Sequence, residues 1–143
     1  APSLVGSEMC IRDRSYNDMM EDRPIEELYS ANIQQSIEIN GRDHWIIVMD
    51  AKVNGLAYPK RKAWIDKEYM LPIKEELYAK SGKLLKTSTM SNITKVQGRW
   101  FPFRFKYKDE LKRSSKGTEW IIEQIEFNTM IPESRFSKAL LRK

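Results

Sequence analysis

From Gln34 onward, apolar and polar residues alternate with a period of two, the signature of β-strands with distinct faces. Ser36-Ile37-Glu38-Ile39 reads as a short strand, and Asn40-Gly41 is a strong hairpin turn signal. The run from His44 to Val53 is apolar on both sides. Trp45, Ile47, Met49 and Ala51 lie on one face and Ile46 and Val48 on the other, the pattern of a strand covered on both faces. Asn54-Gly55 marks another turn. Lys62 to Asp66 and Tyr69 to Tyr78 continue the alternation, with Pro72 requiring an edge or a bulge. Ser81-Gly82 closes a hairpin of three or four loop residues, with Gly82 at positive φ and either Glu76 or Glu75 opposite Lys86. A two-residue turn at Gln97-Gly98 sets Val96 against Arg99, Thr94 against Phe101, Asn92 against Phe103 and Met90 against Phe105. One face of that hairpin gathers Met90, Phe101, Phe103, Phe105 and Tyr107. The other carries Trp100, Arg104, Lys106 and Lys108 and is mostly wet. Thr118 to Phe127 reads as a last strand, apolar on both faces.

Helical signals are few. Ser15 to Glu21 is a possible short helix with Ser15 or Asn17 as its cap. Pro24 ends it or starts a turn over Ile25 to Tyr29. After Pro132, Glu133 to Leu141 reads as a short helix or irregular tail. The fold class is therefore mainly β (α+β): an antiparallel meander of six or seven strands in one unit, with little helix. Such an open meander needs cover over its edges and one face.

Residues 4 to 13, Leu-Val-Gly-Ser-Glu-Met-Cys-Ile-Arg-Asp, have neither a strand nor a helix period. Glu-Met-Cys-Ile-Arg-Asp back-translates to GAG ATG TGT ATA AGA GAC, which resembles the transposase adapter end of sequencing libraries. Residues 1–14 are accordingly read as an artefactual, non-native segment, and residues 15–143 as the C-terminal part of one domain. On that reading the missing cover belongs to the native N-terminal segment, lost together with any signal peptide. Cys10, the single cysteine, then supports neither a disulfide nor a thiol argument.

Composition changes the picture only a little. At 143 residues and 41% hydrophobic the chain can bury a core, and no run of about 18 apolar residues occurs. A net charge of +5 allows nucleic acid or an anionic membrane surface as partners. The residues offer little chemistry. His44, the single histidine, opens a strand beside Trp45 and reads as a strand-end surface residue rather than a base. One histidine does not make a zinc site, so no metal and no cofactor is expected. Glu75 and Glu76 point to opposite sheet faces and cannot form a dyad; they and the other adjacent acids, Glu21-Asp22 and Asp109-Glu110, read as solvated. The six glycines form no phosphate loop. The chain does not read as an enzyme. The Phe101, Phe103, Phe105, Tyr107 row has three readings: sheet core, the lining of an apolar cavity, or a stacking platform for single-stranded nucleic acid. The last fails because aromatics and cations alternate and so face opposite ways.

Several pieces recur in the order known from one family. Ser15-Tyr16-Asn17-Asp18-Met19-Met20 is similar to its short "S-Y-x-D-hydrophobic" helix. Tyr58-Pro59-Lys60 with Trp64-Ile65-Asp66 resembles its "Y-x-K…W-[IV]-D" strand. Leu71-Pro72-Ile73-Lys74 and Tyr78…Gly82…Lys86 resemble its "lP-x-K" and "Y-x-x-x-G-x-x-x-K" hairpin. Gly98-Arg99-Trp100-Phe101-Pro102 looks like its "dG-x-x-x-P" turn. Thr118 and Phe136-Ser137-Lys138-Ala139-Leu140-Leu141 look like its closing strand and end. Together they resemble the outer-membrane lipoprotein-sorting protein family, with a fold like that of the periplasmic carrier LolA. The resemblance implies a half-open β-barrel (LolA/LolB-like), a curved antiparallel sheet around helices, here incomplete at its N-terminus. It implies a non-catalytic periplasmic protein that carries lipoprotein acyl chains or other lipids. Its protein partners would be an inner-membrane transporter or an outer-membrane acceptor, and not nucleic acid. The expected cavity residues are Trp45, Ile47, Met49, Met90, Phe101, Phe103 and Phe105. The alternative is a periplasmic protein-interaction module of a membrane transport complex, using its open sheet edge for strand addition.

Overall fold

The structure, a computed structural model, describes residues 21–127 together with Met130 and Pro132. The helix expected over Ser15–Glu21, Glu21 apart, and the segment Glu133–Leu141 lie outside the described residues. The elements are α1 (Ile25–Leu28), β1 (Tyr29–Ile39), β2 (Arg42–Ala51), β3 (Lys60–Asp66), β4 (Leu71–Tyr78), β5 (Leu84–Val96), β6 (Arg99–Asp109) and β7 (Thr118–Ile121). The seven strands pair antiparallel in sequence order, as a curved sheet that does not close.

Turn chemistry fixes the registers. Asn40-Gly41 and Gln97-Gly98 are two-residue turns, with both residues of each at positive φ (51° and 75°, 49° and 80°). Such turns match the right-handed twist of the strands they join. They set Ile39 against Arg42 and Val96 against Arg99. Thr94 meets Phe101 and Met90 meets Phe105, as the alternation predicts. Pro72 satisfies both expectations for it. It pairs with Ile65 where β3 and β4 shift register, and β5 begins to pair with β4 only at Lys74. The missing proline N–H is therefore never asked for a ladder bond.

Three sequence expectations need correction. Lys86 lies opposite Leu77, not a glutamate. The loop is the three-residue one, closed by Ala79 N–H donating to Lys83 O at 2.9 Å. Leu85 is then an extra residue between the Tyr78–Leu84 and Leu77–Lys86 pairs, and the bulge shifts every later pairing by one. Its carbonyl is not wasted, since Glu110 N–H donates to it at 2.9 Å. The last strand ends at Ile121 rather than Phe127, after pairing with residues 104–107 of β6. Beyond it the chain still runs alongside β6, with Ile122 N–H donating to Phe103 O at 2.9 Å and the Phe127 ring 5.5 Å from that of Phe101. His44 is not a surface residue: it is 3% exposed.

The core sits at one end of one sheet face. Leu28, Tyr29, Met49 and Ala63 are buried together, with Ile47, Ala51, Val53, Leu56 and Ile65 packed against them. Helix α1 and the loop of residues 52–59 provide the cover. Pro24 starts α1 without needing an N–H there, and Glu26 and Glu27 place negative charge at the positive end of the helix. Beyond this end the same face, over β4 to β6, is open.

Candidate functional site

Register decides what shares that face. Ile47 pairs with Ala63 and Met49 with Arg61; Arg61 pairs with Leu77 and Ala63 with Glu75. Glu75 pairs with Ser88, Ser88 with Tyr107, and Met90 with Phe105. Residues directly opposite in a sheet point the same way. Trp45, Ile47, Met49, Met90, Phe101, Phe103 and Phe105 therefore all belong to one face.

A cavity of about 580 Å³ opens on it. Its apolar surface comes from Leu28, Leu56, Leu77, Met90 and Phe105. Of the residues expected from sequence, Met90 and Phe105 line it. Met49 and Ile47 lie in and against the core that forms its end wall. Trp45 lies farther along the face, half-buried, with the Lys67 ammonium 5.4 Å from its ring centroid. Phe101 and Phe103 lie beyond Phe105 toward the β5–β6 turn, ring centroids 6.0 Å apart, edge to face. The seven share a face, but the cavity gathers only part of them.

The sequence did not disclose the polar half of the lining. Arg61 Nη2 donates to both carboxylate oxygens of Glu75, at 3.0 and 3.1 Å. Both side chains are about one-fifth exposed, so Glu75 is not the solvated acid expected. Glu76, on the opposite face, is also mostly covered and accepts the Tyr78 hydroxyl at 2.9 Å. The Tyr29 hydroxyl donates to Tyr58 O at 2.7 Å. Burial raises the Tyr29 phenol pKa, and the nearby Arg61 guanidinium opposes the rise. The buried Nε of Arg61 has no partner among the described residues. Lys86, its ammonium 5.8 Å over the Tyr58 ring, adds a second cation to a lining that also includes Glu21, Thr87, Ser88 and Thr89. Only the alternation of Arg61 with Ala63 and Ile65 could have placed Arg61 on this face, and a charged residue there reads as solvent-facing.

The other face holds a separate cluster. Asp66 is 1% exposed and accepts Arg42 Nε at 2.6 Å and Arg42 Nη2 at 3.1 Å. It also accepts the backbone N–H groups of Glu68 and Tyr69, each at 2.9 Å. His44 Nδ1 lies 2.8 Å from Arg42 O, and its Nε2 lies 3.6 Å from Asp66. Burial works to raise the Asp66 pKa. The Arg42 hydrogen bonds and the two backbone donors outweigh it and lower the pKa to about 2. This constellation fastens the β3–β4 turn to β2. Among the described residues no three His, Cys, Asp or Glu side chains group as metal ligands, and no helix is long and apolar enough to cross a membrane.

A family model described as "Uncharacterized protein" matches residues 3–143. The chain belongs to that family. Its fold is LolA-like. A Vibrio parahaemolyticus domain, provisionally named for outer membrane lipoprotein sorting, superposes with a TM-score of 0.72 at 27% identity, over 90% of this chain and 54% of that one. A DUF1329 family protein from Desulfovibrio piger gives 0.67 at 17% identity, over 90% and 53% of the two chains. A LolA superfamily protein from Nitrosomonas europaea gives 0.65 at 21% identity, over 90% and 57%. The chain thus spans about half the length of these solved relatives. No curated protein matches it.

Proposed function

We propose that residues 15–143 belong to one LolA-like domain of a non-catalytic periplasmic carrier, which holds lipoprotein acyl chains or other lipids on the cavity face. The observation that carries this reading is the cavity itself. About 580 Å³ is within the range of small-molecule sites, roughly 300–1,000 Å³. Its Leu28, Leu56, Leu77, Met90 and Phe105 surface offers an alkyl chain about 0.8 kcal/mol per buried methylene. Six methylenes would supply about 5 kcal/mol without any directional contact. The lipoprotein-sorting name of the Vibrio domain supports the same cargo class.

Delipidated protein titrated with a fluorescent fatty acid tests the proposal. Saturable binding is expected, and Phe105→Asp weakens it at least about tenfold by placing a charge on the apolar wall. Wild-type affinity in a folded Phe105→Asp variant would remove the cavity from the mechanism.

A further inference from the structure

The sheet sorts its charge by face. The cavity holds two cations, Arg61, which is answered by Glu75, and Lys86. On the opposite face the alternating positions present Lys62, Lys74, Lys95, Arg104, Lys106 and Lys108. The pairings Lys62–Glu76, Trp64–Lys74, Glu76–Thr87, Thr87–Lys108, Thr89–Lys106 and Ser91–Arg104 make this one continuous surface over β3 to β6. Neighbouring strands lie about 4.8 Å apart, so the patch is roughly 14 Å wide. Glu76 lies 3.9 Å from Lys74, Glu119 2.7 Å from Arg104 and Glu110 3.7 Å from Lys108, yet the six cations outnumber these three carboxylates. Lys74, Arg104 and Lys108 keep 47%, 43% and 42% of their side-chain surface in solvent, and Lys95 and Lys106 are exposed as well.

Two tryptophans are set among these cations. The Lys62 and Lys74 ammonium groups lie 5.0 and 4.7 Å from the Trp64 ring centroid, and Lys95 lies 5.4 Å from that of Trp100. Half-buried indoles beside exposed lysines match the boundary between lipid headgroups and water, where the amphipathic ring and the cation both find partners.

We propose that this outer face is a docking surface for a bilayer bearing anionic phosphate headgroups. Charge complementarity argues for it: the fold concentrates its exposed cations on the face turned away from the cavity. Nucleic acid fits less well, because the aromatic rings are partly covered by lysines rather than open for base stacking. The proposal does not depend on the cavity's occupant. It gives a carrier a way to lie on a membrane with its cavity face free.

Vesicle co-sedimentation of the full chain tests it. Phosphatidylglycerol vesicles should bind, and pure phosphatidylcholine vesicles should not. Binding should weaken as salt rises, since the screening length falls from about 10 Å at 0.1 M to about 3 Å at 1 M. Each cation near an anionic surface contributes roughly fivefold in affinity. Lys74→Gln with Lys106→Gln should thus weaken binding roughly 25-fold. Fatty-acid binding should persist in that variant, because neither residue lines the cavity. Equal binding to both vesicle types, an unaffected double variant, or tighter binding to a single-stranded oligonucleotide than to phosphatidylglycerol vesicles at equal salt would overturn the proposal.

Discussion

Asp66→Asn is the substitution whose cost the structure specifies most fully. The wild-type carboxylate is almost completely buried and accepts four hydrogen bonds, two from Arg42 and one each from the backbone of Glu68 and Tyr69. Asparagine keeps one acceptor oxygen and replaces the other with a donor, which then faces the Arg42 guanidinium. Hydrogen bonds to charged groups contribute about 1.5–3 kcal/mol each, and orphaning one partner of a buried pair costs about 3–5 kcal/mol. Arg42 is one-third exposed and water recovers part of its hydration. About 2–4 kcal/mol is therefore expected, a large share of the roughly 5–15 kcal/mol that holds a domain together. Urea unfolding followed by tryptophan fluorescence measures it. The same residue predicts an acid limb. Its folded pKa of about 2 lies below the ordinary aspartate value of 3.8. In that interval the unfolded chain binds more protons, so stability rises with pH across it. The contribution, about 2 kcal/mol, is complete above roughly pH 5 and disappears as pH falls through 2. Asp66→Asn should flatten that limb. A variant with the wild-type urea midpoint, or an unchanged acid limb, would refute the reasoning.

Two further comparisons follow from the structure. Glu75→Leu alone strands the Arg61 charge in the cavity and should lower stability by about 1–3 kcal/mol, whereas Arg61→Leu with Glu75→Leu should restore most of it. Thermal unfolding of the pair decides this, and a double variant as weak as the single one would contradict it. Gly117→Ala should cost more than Gly98→Ala. Both glycines have positive φ (88° and 80°), but a β-carbon at Gly117 would lie 2.8 Å from Tyr107 O, while the space at Gly98 is open. Strain alone predicts about 1–2 kcal/mol at Gly98, and equal denaturant midpoints for the two variants would show that the close contact relaxes freely.

The sheet was legible because its information is local. Asn40-Gly41 and Gln97-Gly98 select their turns through their own backbone preferences, and each turn then fixes a register over several residues. Where a non-local event intervened, the reading slipped. Leu85 carries nothing that announces a bulge, yet it moved Lys86 from a glutamate to Leu77. His44 looked exposed because it opens a strand with no partner near it in sequence. It is buried because Asp66, 22 positions on, is folded under Arg42 beside it.

The site divides the same way. Period-two alternation put Met90 and Phe105 on one face and Arg104, Lys106 and Lys108 on the other, and the structure keeps that separation. The cavity's walls are different in kind. Leu28 and Leu56 come from α1 and the 52–59 loop, and share a cavity with Phe105 because the sheet curves. No spacing along the chain expresses curvature. Asp66 of the Trp64-Ile65-Asp66 element is a fastener on the far face, and Leu71-Pro72 marks a bulge. Neither lines the cavity. These residues therefore hold the shape of the sheet, whereas Tyr58 and Lys86 of the same signature line the cavity beside the apolar side chains that, on the proposed function, would meet an acyl chain. On this account a cargo preference is to be sought by varying Leu56, Met90 and Phe105 against an unchanged Asp66, and a swap of those three that alters chain-length preference without moving the urea midpoint would separate the two roles experimentally.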